Sequence, residues 1–352
     1  MLGSSPTPRN LEGSLESART RAAAAATTSL AFRSLLGRMG ENWCGPRPWA
    51  EIEARTRSKL VRVGDQLVHV ERAGRGEAVL LVHGFGCSGH SWRKILPALA
   101  RRYSVIAPDL NGFGWTQRPK DPAAYSLEGQ EALLVGTLRA LGIDRFHVVG
   151  HSYGGGLAIW LAARMPERVR SLTLVASVLP DYSIQQRQAW ARFRSLNWLL
   201  VHFFVLSRGG IRKALETCYA DPAEVTSELI EAYRERLLVE GVEDAYYGLM
   251  APLELPTPEV DLRSLAVPTL LVWGDRDRLI PFDKIEPRLR SLPAHETVIL
   301  DRCGHAPMEE KPEEMLAHLL PFLERHRERW PEKLRGALRW LGIKPAPVSR
   351  AA

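Results

Sequence analysis

The sequence predicts an α/β fold in which a mostly parallel, doubly wound sheet carries an inserted all-helical cap. Three observations predict this fold. Continuously apolar runs such as Ala78–Val82 are typical of strands buried on both faces, as in a parallel sheet. These runs alternate with segments of helical periodicity, which indicates helices on both faces of the sheet. Between Leu179 and Leu262 no strand pattern occurs, and so long an interval between two sheet strands indicates a subdomain.

The individual elements follow in chain order. Two alternating segments, Lys59–Val63 and Leu67–Glu71, flank Gly64-Asp65 and predict a hairpin ahead of the strand at Ala78–Val82. The further predicted strands are Ser104–Ala107, Phe146–Val149, Leu172–Ala176, Thr269–Trp273 and Thr297–Leu300. The predicted helices are Ser126–Leu141, Tyr153–Met165, Phe282–Arg290 and Pro312–Arg327. The predicted organisation is an N-terminal extension (1–57), a core (58–179 and 263–328), a helical cap (180–262) and a basic C-terminal tail (329–352).

Composition limits the classes of protein that this chain can belong to. Its 352 residues are 45% hydrophobic and 25% charged, which excludes pervasive disorder and collagen or coiled-coil arrays. The four cysteines lie far apart without a CxxC pair, which argues against a disulfide framework or a cysteine-rich zinc site and favours a reducing compartment.

The positive charge is concentrated at the two ends of the chain. Residues 1–62 carry ten basic against five acidic side chains, and residues 324–352 carry eight against three. Of the net charge of +7, the stretch 63–323 therefore contributes −3. A core of this charge is a poor candidate for nucleic-acid binding, so no nucleic-acid partner is expected.

The two ends also bear on localisation. The sequence of the extension predicts a partial helix around Leu30–Met39 and lacks a typical secretion signal. The longest apolar run of the chain, Trp198–Leu206, is too short to span a bilayer. In the tail, Trp330–Lys344 combines an apolar helical face with basic residues, the pattern of an interfacial anchor. We expect a cytoplasmic protein, and two interpretations of the tail and of the apolar cap run stay open. Either the tail and the apolar cap run contact a membrane peripherally, or the tail packs on the body and the cap run is buried.

A candidate nucleophile lies where a strand meets a helix. Gly150-His-Ser152-Tyr-Gly154 follows the apolar run Phe146–Val149 and precedes a helical segment. In this context Gly-x-Ser-x-Gly places the serine on a strained turn, with its oxygen exposed above the helix N-terminus. Ser152 is therefore the predicted nucleophile.

A serine nucleophile needs a base that is oriented by a carboxylate. Asp275 and Asp277 both follow the strand at Thr269–Trp273, and the spacing alone does not choose between them. His305 follows the last predicted strand and is the predicted base, whereas His83 is interpreted as a loop-shaping residue. The Gly-rich turn after His83 can present backbone N–H groups to an oxyanion, and the predicted pair is Phe85 N–H and Tyr153 N–H.

These motifs together resemble those of the α/β-hydrolase superfamily, in its serine branch with an HGxx oxyanion loop and a helical cap. The matching segments are His83-Gly-Phe-Gly, Asp109-Leu-Asn-Gly-Phe-Gly114, Gly150-His-Ser-Tyr-Gly-Gly155, Gly274-Asp-Arg-Asp277 and Gly304-His305. The resemblance implies Asp277 as the acid, because the family uses the aspartate of a Gly-x-x-Asp step. It also implies a structural role for the loop from Asp109 to Gly114. Similar dehalogenases and epoxide hydrolases carry aspartate at the position of Ser152.

The resemblance implies a hydrolase that needs no metal and no organic cofactor. The expected reaction is hydrolysis of a carboxylic ester through an acyl-enzyme, while relatives with the same triad cleave C–C bonds of dienoates or form peracids. A catalytically idle ligand-binding protein of the same fold is the alternative from another class. Aromatic residues of the predicted cap favour a small apolar ester as substrate, although many of them must pack the cap against the core. They are Trp190, Phe193, Trp198, Phe203, Phe204, Tyr219, Tyr233, Tyr246 and Tyr247.

Overall fold

The structure is a computed structural model that describes residues 46–180, 206–250 and 260–327. Its centre is an eight-stranded sheet with the strand order β1-β2-β4-β3-β5-β6-β7-β8. The strands are β1 (Leu60–Val63), β2 (Gln66–Ala73), β3 (Ala78–Val82), β4 (Ser104–Pro108), β5 (Phe146–His151), β6 (Val169–Val175), β7 (Thr269–Gly274) and β8 (His295–Leu300). Strand β2 runs antiparallel to both β1 and β4, and the remaining neighbours are parallel. The predicted fold class is confirmed.

The apolar runs account for the middle of the sheet. Every residue of β3, β5 and β7 is buried, because helices cover both faces of the parallel strands. The predicted hairpin also forms: Gly64 takes a φ of 57° as the first residue of its two-residue loop.

Two strands begin earlier than the sequence predicts. Strand β6 starts at Val169, which pairs with Phe146 across an irregular register. Strand β8 starts at His295, and its first three residues are exposed and polar. This edge strand is held by backbone hydrogen bonds to β7 and needs no apolar pattern at its start.

Helices cover the sheet and build the cap. The α-helices of the described residues are α1 (Trp49–Thr56), α2 (Leu96–Leu99), α3 (Leu127–Ala140), α4 (Tyr153–Arg164), α5 (Arg208–Cys218), α6 (Ser227–Leu237), α7 (Val242–Met250), α8 (Phe282–Leu289), α9 (Pro307–Glu310) and α10 (Pro312–Arg325). Helices α5, α6 and α7 form the described part of the cap. The predicted helix around Leu30–Met39, most of the apolar run Trp198–Leu206 and the tail lie outside the described residues.

The segment ahead of α1 is joined to the cap, although it belongs to the predicted N-terminal extension. The Arg47 N–H donates to the carbonyl of Leu238 at 2.9 Å, and the Arg47 carbonyl accepts from Glu240 N–H at the same distance. Ile52 of α1 is 1% exposed. The last residues of the predicted extension therefore pack as part of the folded body.

The carboxyl ends of β3, β5, β7 and β8 meet at one edge of the sheet, where open α/β sheets place their sites. The four segments that follow these strands carry His83, Ser152, Asp277 and His305. None of the described helices is long and apolar enough to cross a membrane.

One glycine at this edge provides a test of the fold. A Cβ at Gly150 would lie 2.4 Å from the carbonyl oxygen of Gly154, whereas a Cβ at Gly209 in α5 would meet no atom within 4 Å. We expect Gly150→Ala to lower the free energy of unfolding by about 1–3 kcal/mol or more, through overpacking against backbone. Gly209→Ala should leave it equal or raise it by up to about 1 kcal/mol. Urea unfolding measures both, and equal midpoints would contradict the packing argument.

Candidate active site

Ser152 occupies a strained backbone conformation between β5 and α4. Its φ is 52° and its ψ −118°, a region that residues with a side chain rarely adopt. Four backbone hydrogen bonds hold it: Ser152 N–H donates to the Val175 carbonyl at 2.9 Å, and the Ser152 carbonyl accepts from the N–H groups of Gly155, Gly156 and Val178 at 2.9, 3.4 and 3.1 Å. The turn that the Gly-x-Ser-x-Gly motif predicts is therefore present.

A second glycine of the motif allows α4 to approach β3. A Cβ at Gly154 would lie only 2.3 Å from the carbonyl oxygen of Val82. Only a residue without a side chain fits there. The close approach brings the start of α4 next to the turn that follows β3.

The predicted base is hydrogen-bonded to one of the two aspartates. His305 Nδ1 lies 2.8 Å from Asp277 Oδ2, and both residues are buried. The other oxygen, Oδ1, accepts from the N–H groups of Leu279 and Ile280 at 2.9 Å each, which fixes the carboxylate. A proton on His305 Nδ1 satisfies Asp277, and Nε2 is then the nitrogen that can accept a proton.

The other aspartate, Asp275, forms hydrogen bonds to the backbone and not to His305. Asp275 Oδ1 accepts from Cys303 N–H at 3.0 Å, and Asp275 N–H donates to the carbonyl of Leu300 at 3.0 Å. Asp275 therefore ties its own loop to the one that carries His305. The geometry separates the two residues that spacing alone leaves undecided.

Two backbone N–H groups near Ser152 can serve as oxyanion donors. Cys87 N–H donates to the Gly84 carbonyl at 3.2 Å, and Gly86 has a φ of 72°, so residues 84–87 form a turn with Phe85 at its second position. Tyr153 is the first residue of α4, where an N–H has no intrahelical acceptor. Within the part of the chain that the structure describes, neither Phe85 N–H nor Tyr153 N–H has an acceptor.

His83 has the contacts of a loop-shaping residue. Its Nε2 accepts from Leu110 N–H at 3.0 Å, so Nδ1 carries the proton and donates to the Gly84 carbonyl at 2.8 Å. Burial lowers the pKa of His83, which keeps this neutral form.

The loop that starts at Asp109 is structural, as the resemblance implies. The Asp109 carboxylate accepts from the N–H groups of Gly89 at 2.6 Å and Trp115 at 2.7 Å and pairs with His69 Nδ1 at 2.9 Å. A Cβ at Gly114 would overlap this carboxylate. This second buried His–Asp pair therefore organises backbone.

His151, the first of the two variable residues of the Gly-x-Ser-x-Gly motif, contacts the predicted base, and the sequence does not predict this contact. Its ring is 3% exposed, its centroid lies 4.9 Å from that of His305, and its Nε2 donates to the His305 carbonyl at 2.8 Å. Burial and the neighbouring His305 hold the pKa of His151 well below its usual range, so the ring is neutral. No pattern in the sequence indicates this contact, because 154 positions separate the two residues.

Aromatic rings lie around the turn of residues 84–87, which carries Phe85 N–H and is called the oxyanion turn below. The Phe85 ring lies edge-on to Phe113, Tyr153 and Tyr246, with centroid distances of 5.0, 6.4 and 6.2 Å. Tyr246 comes from α7 of the cap and is 1% exposed. Burial raises the pKa of both tyrosines, so their phenols are neutral. This part of the site is apolar.

The described cysteines are poor candidates for a nucleophile. Cys87, Cys218 and Cys303 are free thiols, and burial raises the pKa of each, that of Cys218 to about 12. They are therefore protonated near neutral pH. Across the described ranges, no cluster of three His, Cys, Asp or Glu side chains could hold a metal ion.

Comparisons with known proteins place these features in a wider group. A family model described as the alpha/beta hydrolase fold matches residues 77–312. A 2-hydroxy-6-oxo-2,4-heptadienoate hydrolase of Pseudomonas putida F1 is 31% identical over 258 residues, which cover 70% of this chain and 89% of the relative. A pimeloyl-[acyl-carrier protein] methyl ester esterase of Aeromonas hydrophila is 32% identical over 73% of this chain and 99% of its own length.

A solved structure extends the similarity over more of the chain. The crystal structure of a bacterial membrane phospholipase A has a TM-score of 0.60 and 28% identity, and the match covers 92% of this chain and all of the other. The curated relatives and this structure together support a hydrolase of the α/β type.

The two aspartates offer a direct test of the site. We expect Asp277→Asn to lower kcat by roughly 10²- to 10⁴-fold, because the amide cannot hold the His305 tautomer that leaves Nε2 free. Asp275→Asn should be mild, since its amide oxygen can still accept from Cys303 N–H. Steady-state hydrolysis of a p-nitrophenyl ester measures both variants, and the reverse order of the two effects would assign the acid to Asp275.

Proposed function

Because the chain belongs to the α/β-hydrolase family, we propose that it is a serine hydrolase that cleaves a carboxylic ester of an apolar substrate through an acyl-enzyme. The observation that carries the proposal is the hydrogen bond between His305 Nδ1 and Asp277 at the sheet edge that presents the strained Ser152. Phe85 N–H and Tyr153 N–H, which have no acceptor among the described residues, complete the set of roles that acyl transfer requires. A catalytically idle binding protein would not need this complete set.

The proposed mechanism has two steps. His305 Nε2 takes the proton of Ser152 as its oxygen attacks the substrate carbonyl, and Asp277 orients the imidazole and stabilises its charged form. The N–H groups of Phe85 and Tyr153 stabilise the oxyanion. His305 then protonates the leaving alcohol, and water activated by the same imidazole releases the acid and restores Ser152.

The rings of Phe85, Phe113, Tyr153 and Tyr246 form an apolar wall beside Ser152, which favours an uncharged substrate. Phe85 carries a donor N–H and also contacts rings from both core and cap, so an acyl chain or ring would pack there. Of the predicted cap aromatics, Tyr219, Tyr233 and Tyr246 are buried and also pack the cap. Trp190, Phe193, Trp198, Phe203 and Phe204 lie outside the described residues.

Hydrolysis of a C–C bond in a dienoate is the second candidate. It is favoured by the 31% identity to a heptadienoate hydrolase over most of that protein. The serine, histidine and aspartate are compatible with both reactions, so the substrate has to distinguish them.

We expect p-nitrophenyl esters, measured over a series of acyl lengths, to be turned over with a higher kcat/KM than a 2-hydroxy-6-oxo-dienoate.

Ser152→Ala should lower ester turnover by roughly 10³-fold or more while thermal stability stays nearly unchanged, because the hydroxyl supports no core packing. Fluorophosphonate labelling of the wild type at Ser152 is the accompanying control. Faster cleavage of the dienoate would favour the C–C candidate, and an unlabelled, inactive wild type would favour a binding protein.

We also propose that the enzyme contacts membranes peripherally through its basic tail. The proposal rests on the sequence of residues 329–352 and on the similarity to a membrane phospholipase A over nearly the whole chain. Attraction of about 1 kcal/mol per basic side chain near an anionic surface would add to the insertion of Trp330 and Trp340.

Co-sedimentation with anionic vesicles tests the tail. The full chain should pellet with phosphatidylserine-containing vesicles at low salt and less at high salt. Replacing Lys333, Arg335 and Arg339 with Gln should reduce pelleting, whereas Arg101→Gln with Arg102→Gln on the core should not. If the wild type stays in the supernatant at low salt, the membrane proposal is wrong.

A further inference from the structure

The loop of the proposed base is tied down through its backbone. Gly304 N–H and Ala306 N–H donate to the two oxygens of Glu310, at 2.9 and 3.0 Å. Between them, His305 N–H donates to the carbonyl oxygen of Cys218 at 2.6 Å. Three consecutive N–H groups thus have fixed acceptors, and the middle acceptor belongs to the cap.

The same carboxylate also binds the cap. Glu310 Oε2 accepts from Ala220 N–H at 2.7 Å, just after α5 ends at Cys218. A Cβ at Gly304 would lie 2.3 Å from the Cys218 carbonyl oxygen, so the loop and the cap approach as closely as backbone allows. Glu310 therefore bridges the histidine loop and the cap segment 218–220.

A neighbouring carboxylate anchors this cap segment to the core. Glu309 is fully buried and accepts hydrogen bonds from the phenols of Tyr219 and Tyr233, both of which belong to the cap. Its charge is compensated by Arg93 of the core, whose Nη1 lies 2.5 Å from Oε2. Hydrogen bonds to a charged group are stronger than neutral ones, so the docking is firm.

The core holds the carbonyl group of the same residue, His305, in the next peptide unit. His151 donates to the His305 carbonyl, while the cap accepts from the His305 N–H. The orientation of the His305 backbone is therefore set jointly by the core and the cap.

We propose that the cap segment 218–220 positions the base of this enzyme and that Glu310 is the positioning residue that couples the two. The proposal rests on the proposed function, in which His305 is the base. A cap that moves away from Glu310 removes the acceptor of His305 N–H and loosens the imidazole relative to Ser152. His305 is then able to act as the base only while the cap segment 218–220 is in contact with Glu310.

The test compares Glu310→Gln and Glu310→Ala with Glu313→Gln, an exposed glutamate of α10, as the matched control. Glutamine keeps one acceptor oxygen, whereas alanine removes all three hydrogen bonds. We expect kcat for a p-nitrophenyl ester to fall about 10- to 100-fold in Glu310→Ala and less in Glu310→Gln, with KM nearly unchanged, because the base is displaced and the apolar wall is not. Glu313→Gln should match the wild type.

Hydrogen exchange provides a readout that does not depend on turnover. In Glu310→Ala the amides of residues 304–306 and of Ala220 should exchange faster together, while those of β5 keep their protection. Unchanged kcat in both Glu310 variants, or faster exchange of 304–306 alone, would overturn the coupling and leave the serine-hydrolase proposal intact. An inactive, unlabelled wild type would contradict the proposed function, and the exchange experiment would still decide whether Glu310 links the loop to the cap.

Discussion

The backbone strain at Ser152 is the constraint on which the rest of the site depends. A non-glycine residue at a φ of 52° costs on the order of 1–3 kcal/mol and persists only where its surroundings enforce it. Here the hydrogen bonds to Val175 and Val178 enforce it from β6 and the segment that follows. Glycine at 150 and 154 lets α4 press against β5 and β3. The neighbours of β5 in the sheet thus hold Ser152 in the conformation that the turn requires.

The base is fixed by a different kind of contact. Its loop follows β8, the edge strand of the sheet that the described residues form, so no strand of that sheet supports the loop from the far side. The support comes from Asp277, His151 and Glu310, and from the cap through the carbonyl of Cys218. One half of the proposed machinery is therefore built into the rigid centre of the sheet, and the other half depends on contacts between separate parts of the chain.

This difference explains what the sequence could predict. Apolar runs and the strand–turn–helix motif predict the sheet and Ser152, because their causes are local in the chain. The choice of Asp277 over Asp275 required the family resemblance, since the distinguishing hydrogen bonds connect different loops. Residues that act through backbone groups far along the chain, as His151 and Glu310 do, carry no local pattern. The polar start of β8 escaped prediction because backbone pairing with β7 and the ion pair between Glu296 and Arg325 maintain it without an apolar pattern.

The cap has two roles if it both selects the substrate and supports the base. In the described residues the phenols of Tyr219 and Tyr233 are engaged by Glu309, whereas Tyr246 meets Phe85 edge-on beside the oxyanion turn. Polar contacts thus dock the cap, and an apolar contact lies next to the reacting groups. A substrate that packs well between Phe85 and the cap would hold the cap down, and under our proposal would also hold His305 in line with Ser152. Selectivity would then be expressed in kcat as well as in KM, because binding energy from the apolar part of the substrate is used to orient the base.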